Sequence, residues 1–103
     1  MIILTLLADV SIKQTLSDVL RNEPDVERFI FTHVEEHSHQ LEQDSLLTEQ
    51  DKVVGYIPRI RVDILLDESA LDKVRKDLCA PDSGLSGRCR YMVTPVIESG
   101  GML

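Results

Sequence analysis

The three histidines of this chain, His33, His37 and His39, all fall within "HVEEHSHQ" (33–40). Side chains alternate along an extended backbone, so His33, Glu35, His37 and His39 project from one face if the stretch is a strand. Same-face neighbours then lie roughly 6–7 Å apart. Two imidazoles at that spacing, with a carboxylate oxygen beside them, suit one small cation such as Zn²⁺ or Cu²⁺. The plainer alternative is a solvated strand end, and a third is a polar contact to a bound nucleotide. A second stretch, "SGLSGRCR" (83–90), combines Gly84 and Gly87 with the hydroxyls of Ser83 and Ser86 and the charges of Arg88 and Arg90. Glycines let backbone N–H groups approach an anion closely. They are also ordinary turn punctuation, so a plain loop competes with an anion site.

Cys79 and Cys89 bracket that second stretch. A redox switch and a pair of soft metal ligands are two readings. The third is one buried thiol and one incidental one. In a reducing compartment both are expected to be free. Arg59, Arg61 and Asp63 alternate on one strand face, as expected for ion pairs across strands or subunits. No Ser/His/Asp arrangement has supporting context and no Walker loop is present, so an enzyme is not expected.

A chain of 103 residues is sized for one domain with a small core. Its 43% hydrophobic and 28% charged residues are those of a globular protein. The net charge of −7 argues against non-specific nucleic-acid binding. No run is apolar enough to predict insertion into a bilayer. The apolar start "MIILTLLA" lacks a basic flank and meets Asp9, so it reads as a buried strand rather than an export signal. The cytoplasm is the expected compartment.

These residues need elements to position them. "IILTLLA" (2–8) predicts a central strand. A helix follows, with Ser11 and Gln14 as a capping box and Ile12, Leu16, Val19 and Leu20 on its apolar stripe. Pro24 ends it. A second strand is predicted over 26–39, with Ile30, Thr32 and Val34 on one face and Phe29, Phe31 and His33 on the other. The polar stretch 40–52 is too long for a tight hairpin, which uses about two to five residues, and that length points to function. Leu46 and Leu47 within it are anchors, or wait for a partner. A third strand spans 53–67, with Val54, Tyr56, Ile60, Val62, Ile64 and Leu66 on one face, and Pro58 confined to an edge or irregularity. A second helix covers about 69–79, capped by Asp67 or Ser69, with Leu71, Val74 and Leu78 buried. A loop at 82–90 leads to a last strand at 91–97 and a loose tail. The order βαββαβ predicts an α+β ferredoxin-like domain over 1–98, an antiparallel sheet with two helices on one face, and a tail at 99–103.

Three stretches together resemble the nitrogen regulatory PII superfamily. "VVGYIPRIRVDILLD" is similar to that family's third strand, with its Pro, alternating basic and apolar residues and acidic ending. "SGLSGRCRYMVTPV" is similar to its phosphate-binding loop, Thr-Gly-x-x-Gly-Asp-Gly-Lys, and the strand after it. Stretch 40–52 stands in the place of the family's mobile partner-binding loop. The likeness is close to a PII-like subfamily found beside heavy-metal efflux systems. It implies a homotrimer with intersubunit clefts. It also implies regulation by docking of 40–52 onto a target protein, in that setting a membrane transporter. In such a trimer the histidine stretch would face a neighbour's Cys89 and Arg90. Arg88 replaces the family's acid, Cys89 a glycine and Arg90 a lysine, and the basic residues after the last strand are missing. ATP is therefore expected to bind weakly or not at all. The alternative class is a metal-binding protein related in fold to the CutA divalent-cation tolerance proteins, acting as a buffer rather than a signal.

Overall fold

The computed structural model describes residues 1–38 and 55–102. Four strands and two helices follow in the order β1 (Ile2–Asp9), α1 (Lys13–Arg21), β2 (Phe29–Glu36), β3 (Ile57–Leu66), α2 (Leu71–Leu78) and β4 (Cys89–Pro95). The strands form one sheet in the order β2-β3-β1-β4, and every neighbouring pair is antiparallel. Each helix therefore connects two strands with a third strand between them. This is the ferredoxin-like arrangement expected from the element order.

The period of two along the strands decides which face is covered. Ile2, Leu4, Leu6 and Ala8 of β1 are buried, as are Ile60, Val62, Ile64 and Leu66 of β3. They form one core with Ile12, Leu16 and Leu20 from the first helical segment and Val74 and Leu78 of α2. Both helices thus lie on the same face. The register places Phe29 opposite Ile64 and Phe31 opposite Val62, so these rings pack toward the helices too. Among the described residues no helix lies on the other face. Across its middle row run Ile30, Asp63, Thr5 and Met92. Ile30 and Met92 are 60% and 62% exposed there. Thr5 is buried on that face and donates to Asp63 Oδ1 at 2.8 Å, which explains a hydroxyl in the middle of a central strand.

Several boundaries differ from the sequence expectations. Ser11 and Gln14 do not form a capping box. Asp9 ends β1 in an extended conformation and its carboxylate accepts the Ser11 N–H at 3.1 Å, opening a 3₁₀ turn at Val10–Ile12 ahead of α1. Gln14 donates instead to Asp18 one turn on, at 2.9 Å. The same device recurs at α2, where Asp67 caps Ser69 N–H and a 3₁₀ turn at Glu68–Ala70 delays the helix to Leu71. A short carboxylate satisfies a donor two residues ahead with little distortion, so it wins over the more distant box.

The second strand is shorter than 26–39. A turn at 22–26, closed by Val26 N–H to Glu23 O, takes up its start. At its end Glu36 pairs with Ile57, the first residue of β3, and Gly55 just before has φ +80°. Among the described residues the third strand accordingly begins at Ile57, after Gly55 and Tyr56, and positions 53 and 54 of the expected strand lie outside them. Pro58 pairs only with β2, because β1 reaches no further along β3 than Arg59, so no ladder bond to β1 is lost. The last strand begins at Cys89 rather than 91, since Cys89 and Arg90 pair with Ala8 and Leu7. It ends at Pro95, opposite the first residue of β1. Beyond it Ile97 and Met102 are fully exposed.

Candidate functional site

The histidine stretch lies where β2 runs out. His33 sits opposite Ile60 and Glu35 opposite Pro58, on the helix side of the edge strand. His37 is just past the strand, and its Nε2 lies 3.3 Å from Glu35 Oε1. Its ring stands 5.6 Å from that of Tyr56. Both partners of the Glu35–His37 contact are well exposed. His39, the fourth proposed ligand, lies outside the described residues, as does the stretch 40–52. Among the described residues no three His, Cys, Asp or Glu side chains group closely enough to hold a metal ion. Of the proposed ligand set, the described structure therefore brings Glu35 and His37 together.

The next residue carries more of the local electrostatics. Glu36 points to the helix-free face, accepts from Arg59 Nε at 2.8 Å, and is paired with Arg90 of β4. Arg90 therefore reaches from one edge strand to the other across the end of the sheet. Burial pushes the Glu36 carboxyl up. The hydrogen bonds and charges of Arg59 and Arg90 outweigh this and hold it below the usual range. Of the alternating charges of β3, Arg59 pairs across strands as expected, whereas Arg61 pairs at 3.2 Å with Asp63 of its own strand.

The proposed anion loop is divided among three tasks. Ser83 Oγ donates to the Leu78 carbonyl at 2.9 Å and accepts from Leu85 N–H at 3.1 Å, finishing the end of α2. Gly84 and Gly87 have φ of +80° and +73°, conformations in which a side chain is strained. Arg88 donates to Ser11 Oγ at 3.0 Å and ties the loop to the start of α1. Arg90 belongs to β4 and to Glu36. Ser86 remains exposed at the outer edge. Backbone and side chains here are largely engaged within the chain, and an incoming anion would have to compete for the arginines.

Sequence reasoning missed Leu85, which is buried and closes a pocket of about 110 Å³ between α2 and β4. Leu4, Leu6 and Leu78 form its apolar wall, and Cys79 and Cys89 both line it. Leu85 is the sole aliphatic residue in 82–88, a signal that could have marked it as an anchor. Both thiols are free, with Cys79 exposed and Cys89 half-buried.

The family described as "Protein of unknown function (DUF3240)" matches residues 1–103. Among solved structures, the crystal structure of a DUF3240 family protein from Shewanella baltica OS155 is similar, with a TM-score of 0.75 at 18% identity. The match covers 99% of this chain and 96% of that one. At that identity the likeness speaks for the fold. No curated protein matches the sequence. Among the described residues no helix is long and apolar enough to cross a membrane.

Proposed function

The chain belongs to the DUF3240 family, and we propose that it is a PII-like trimeric regulatory or sensor protein acting through residues 40–52 in heavy-metal homeostasis or efflux. The observation that carries this reading is the ion pair between Glu36 and Arg90. Glu36 is the last residue of β2, where the connection containing 40–52 departs. Arg90 lies three residues beyond Gly87 of the glycine turn. An anion arriving at the turn competes with Glu36 for Arg90. Losing that partner changes the restraint on the root of the connection, so occupancy of the turn is read out at 40–52. The target is a protein, and in an efflux setting a membrane transporter. ATP is a poor effector on this reading, because Cys89 stands where the phosphate loop of PII proteins has a glycine.

The trimer rests on the helix-free sheet face. Ile30 and Met92 are exposed on it, and Ile3 and Leu7 are half-covered on either side of Thr5. Apolar side chains left on one face in this way are covered most simply by further copies of the same chain.

A second reading is CutA-like, with a divalent cation such as Zn²⁺ or Cu²⁺ held by His33, Glu35, His37 and His39 and no signalling role. The contact between Glu35 and His37 favours it, since two of those donors already meet.

Hydrogen exchange over 40–52 separates the two, measured with Zn²⁺, Cu²⁺, inorganic phosphate or ATP added. The sensor reading predicts that one of these alters exchange in 40–52, and that Arg90→Gln removes the response. Stoichiometric metal binding with unchanged exchange supports the buffer. Unchanged exchange with all four sinks the sensor.

A further inference from the structure

The pocket between α2 and β4 has a chemical character that the proposed function leaves unused. Its wall is apolar, from Leu4 and Leu6 of β1, Leu78 of α2 and Leu85 of the loop. Cys79 and Cys89, at opposite ends of that loop, both line it. Cys79 is the residue that ends α2, its N–H bonded to the Arg75 carbonyl at 2.9 Å. Cys89 opens β4 and is paired with Ala8.

The loop between them is fixed by its own hydrogen bonds. Ser83 N–H goes to Ala80 O at 3.0 Å and Arg88 N–H to Leu85 O at 3.0 Å, while Ser83 Oγ is held by Leu78 and Leu85. A rigid return holds both thiols against one small cavity without help from any other chain.

We infer that Cys79 and Cys89 form a two-thiolate site for a soft monovalent d¹⁰ cation of the Cu⁺ and Ag⁺ class. Thiolates select such ions. Zinc is disfavoured, because it asks for four donors and among the described residues no third His, Cys, Asp or Glu joins the pair. An apolar wall suits an ion that needs only two ligands and no water. On binding, both S–H bonds break, two S–metal bonds form, and two protons pass to solvent. No electron is transferred. The bis-thiolate complex carries one negative charge, with Arg75, which also pairs with Asp72, on the pocket wall beside it. The inference does not depend on the histidine stretch or on residues 40–52.

The test is titration of the reduced, full-length protein with Ag⁺, followed by native mass spectrometry and by protection of the thiols from a disulfide reagent. One ion per chain, with both thiols protected together, is expected. Loss of an outer-shell partner costs a metal site about 10–100-fold, so losing one of two direct ligands should weaken binding by at least about 100-fold. Cys79→Ser and Cys89→Ser should each show this. Cys79 is exposed, so its variant folds normally and decides the matter even if Cys89→Ser is unstable. A His33→Ala/His37→Ala double variant should bind Ag⁺ as the parent does, and excess Zn²⁺ should leave the ion in place. Any of four results overturns the site: full affinity in Cys79→Ser, two independent ions per chain, one ion shared between two chains, or displacement by zinc.

Discussion

Replacing Gly84 and Gly87 separately with Ala should destabilise the protein by unequal amounts. Both glycines sit at positive φ, +80° and +73°. A residue with a Cβ pays about 1–2 kcal/mol in that region. Around Gly87 an added Cβ meets nothing within 4 Å, so Gly87→Ala should cost only that amount. At Gly84 the new Cβ would lie 3.3 Å from Thr15 Cγ2 on α1. Crowding there should add roughly 1 kcal/mol, at the low end for an extra methyl in a packed place. In a domain of this size each kcal/mol moves the thermal midpoint by roughly 4–8 °C. Urea unfolding of both variants gives the difference, and the slope checks that the unfolded state is unchanged. Adding Thr15→Ser removes Cγ2 and should bring the Gly84→Ala variant level with Gly87→Ala. A Gly87→Ala cost equal to or above that of Gly84→Ala refutes the geometry. So does a gap that survives Thr15→Ser.

The remaining predictions follow the buried and charged groups. Glu23 is 8% exposed, and its Oε2 makes no hydrogen bond. Burial and the neighbouring Asp77 raise its carboxyl above the ordinary 4.5, and Lys73 at 3.6 Å, which also lies 3.9 Å from Asp25, only partly offsets this. The stabilising protonated form is fully present below that ordinary value and lost as pH rises through the folded-state value. Glu23→Gln should therefore be more stable than the parent at neutral pH, with the gap closing in acid, as thermal melts across the range would show. Asp67 behaves in the opposite sense, because the Ser69 N–H and hydroxyl hold its carboxyl down. Asp67→Ala should lower the melting point at neutral pH, with the loss shrinking as pH falls through the depressed value. Leu16 of α1 is fully buried in the core shared with the sheet, so Leu16→Ala should cost about 2–5 kcal/mol in urea unfolding.

Much of the fold was legible because it depends on repeating patterns. Ile60, Val62, Ile64 and Leu66 announce the buried face of β3 by their spacing, and Ile12, Leu16 and Leu20 the buried stripe of the first helical segment. Boundaries were less legible because single contacts set them. Asp67 was legible as a cap, but Asp9 caps the first helical segment over two residues, which a search for a three-residue capping box passes over at Ser11. Strand ends are fixed by where the partner stops: Cys89 and Arg90 are strand residues because Ala8 and Leu7 extend far enough to pair with them.

The candidate site was legible in residue type but not in geometry. That Arg90 would reach Glu36 depends on the strand order, since the two lie on opposite edges of the sheet. The shared pocket of Cys79 and Cys89 depends on Leu85 folding inward, which no periodicity records in a loop. Ser83 read as an anion donor, but its hydroxyl is occupied by the end of α2.

Light scattering coupled to gel filtration, at micromolar protein, tests the central claim most directly. A PII-like assembly built on the helix-free sheet face should elute with three times the chain mass of 11.6 kDa. Met92→Glu, which places a charge on the edge strand of that face opposite Thr5, should shift the protein to a folded monomer. A parent chain that is monomeric at that concentration, or a Met92→Glu variant that remains a trimer, would contradict the account.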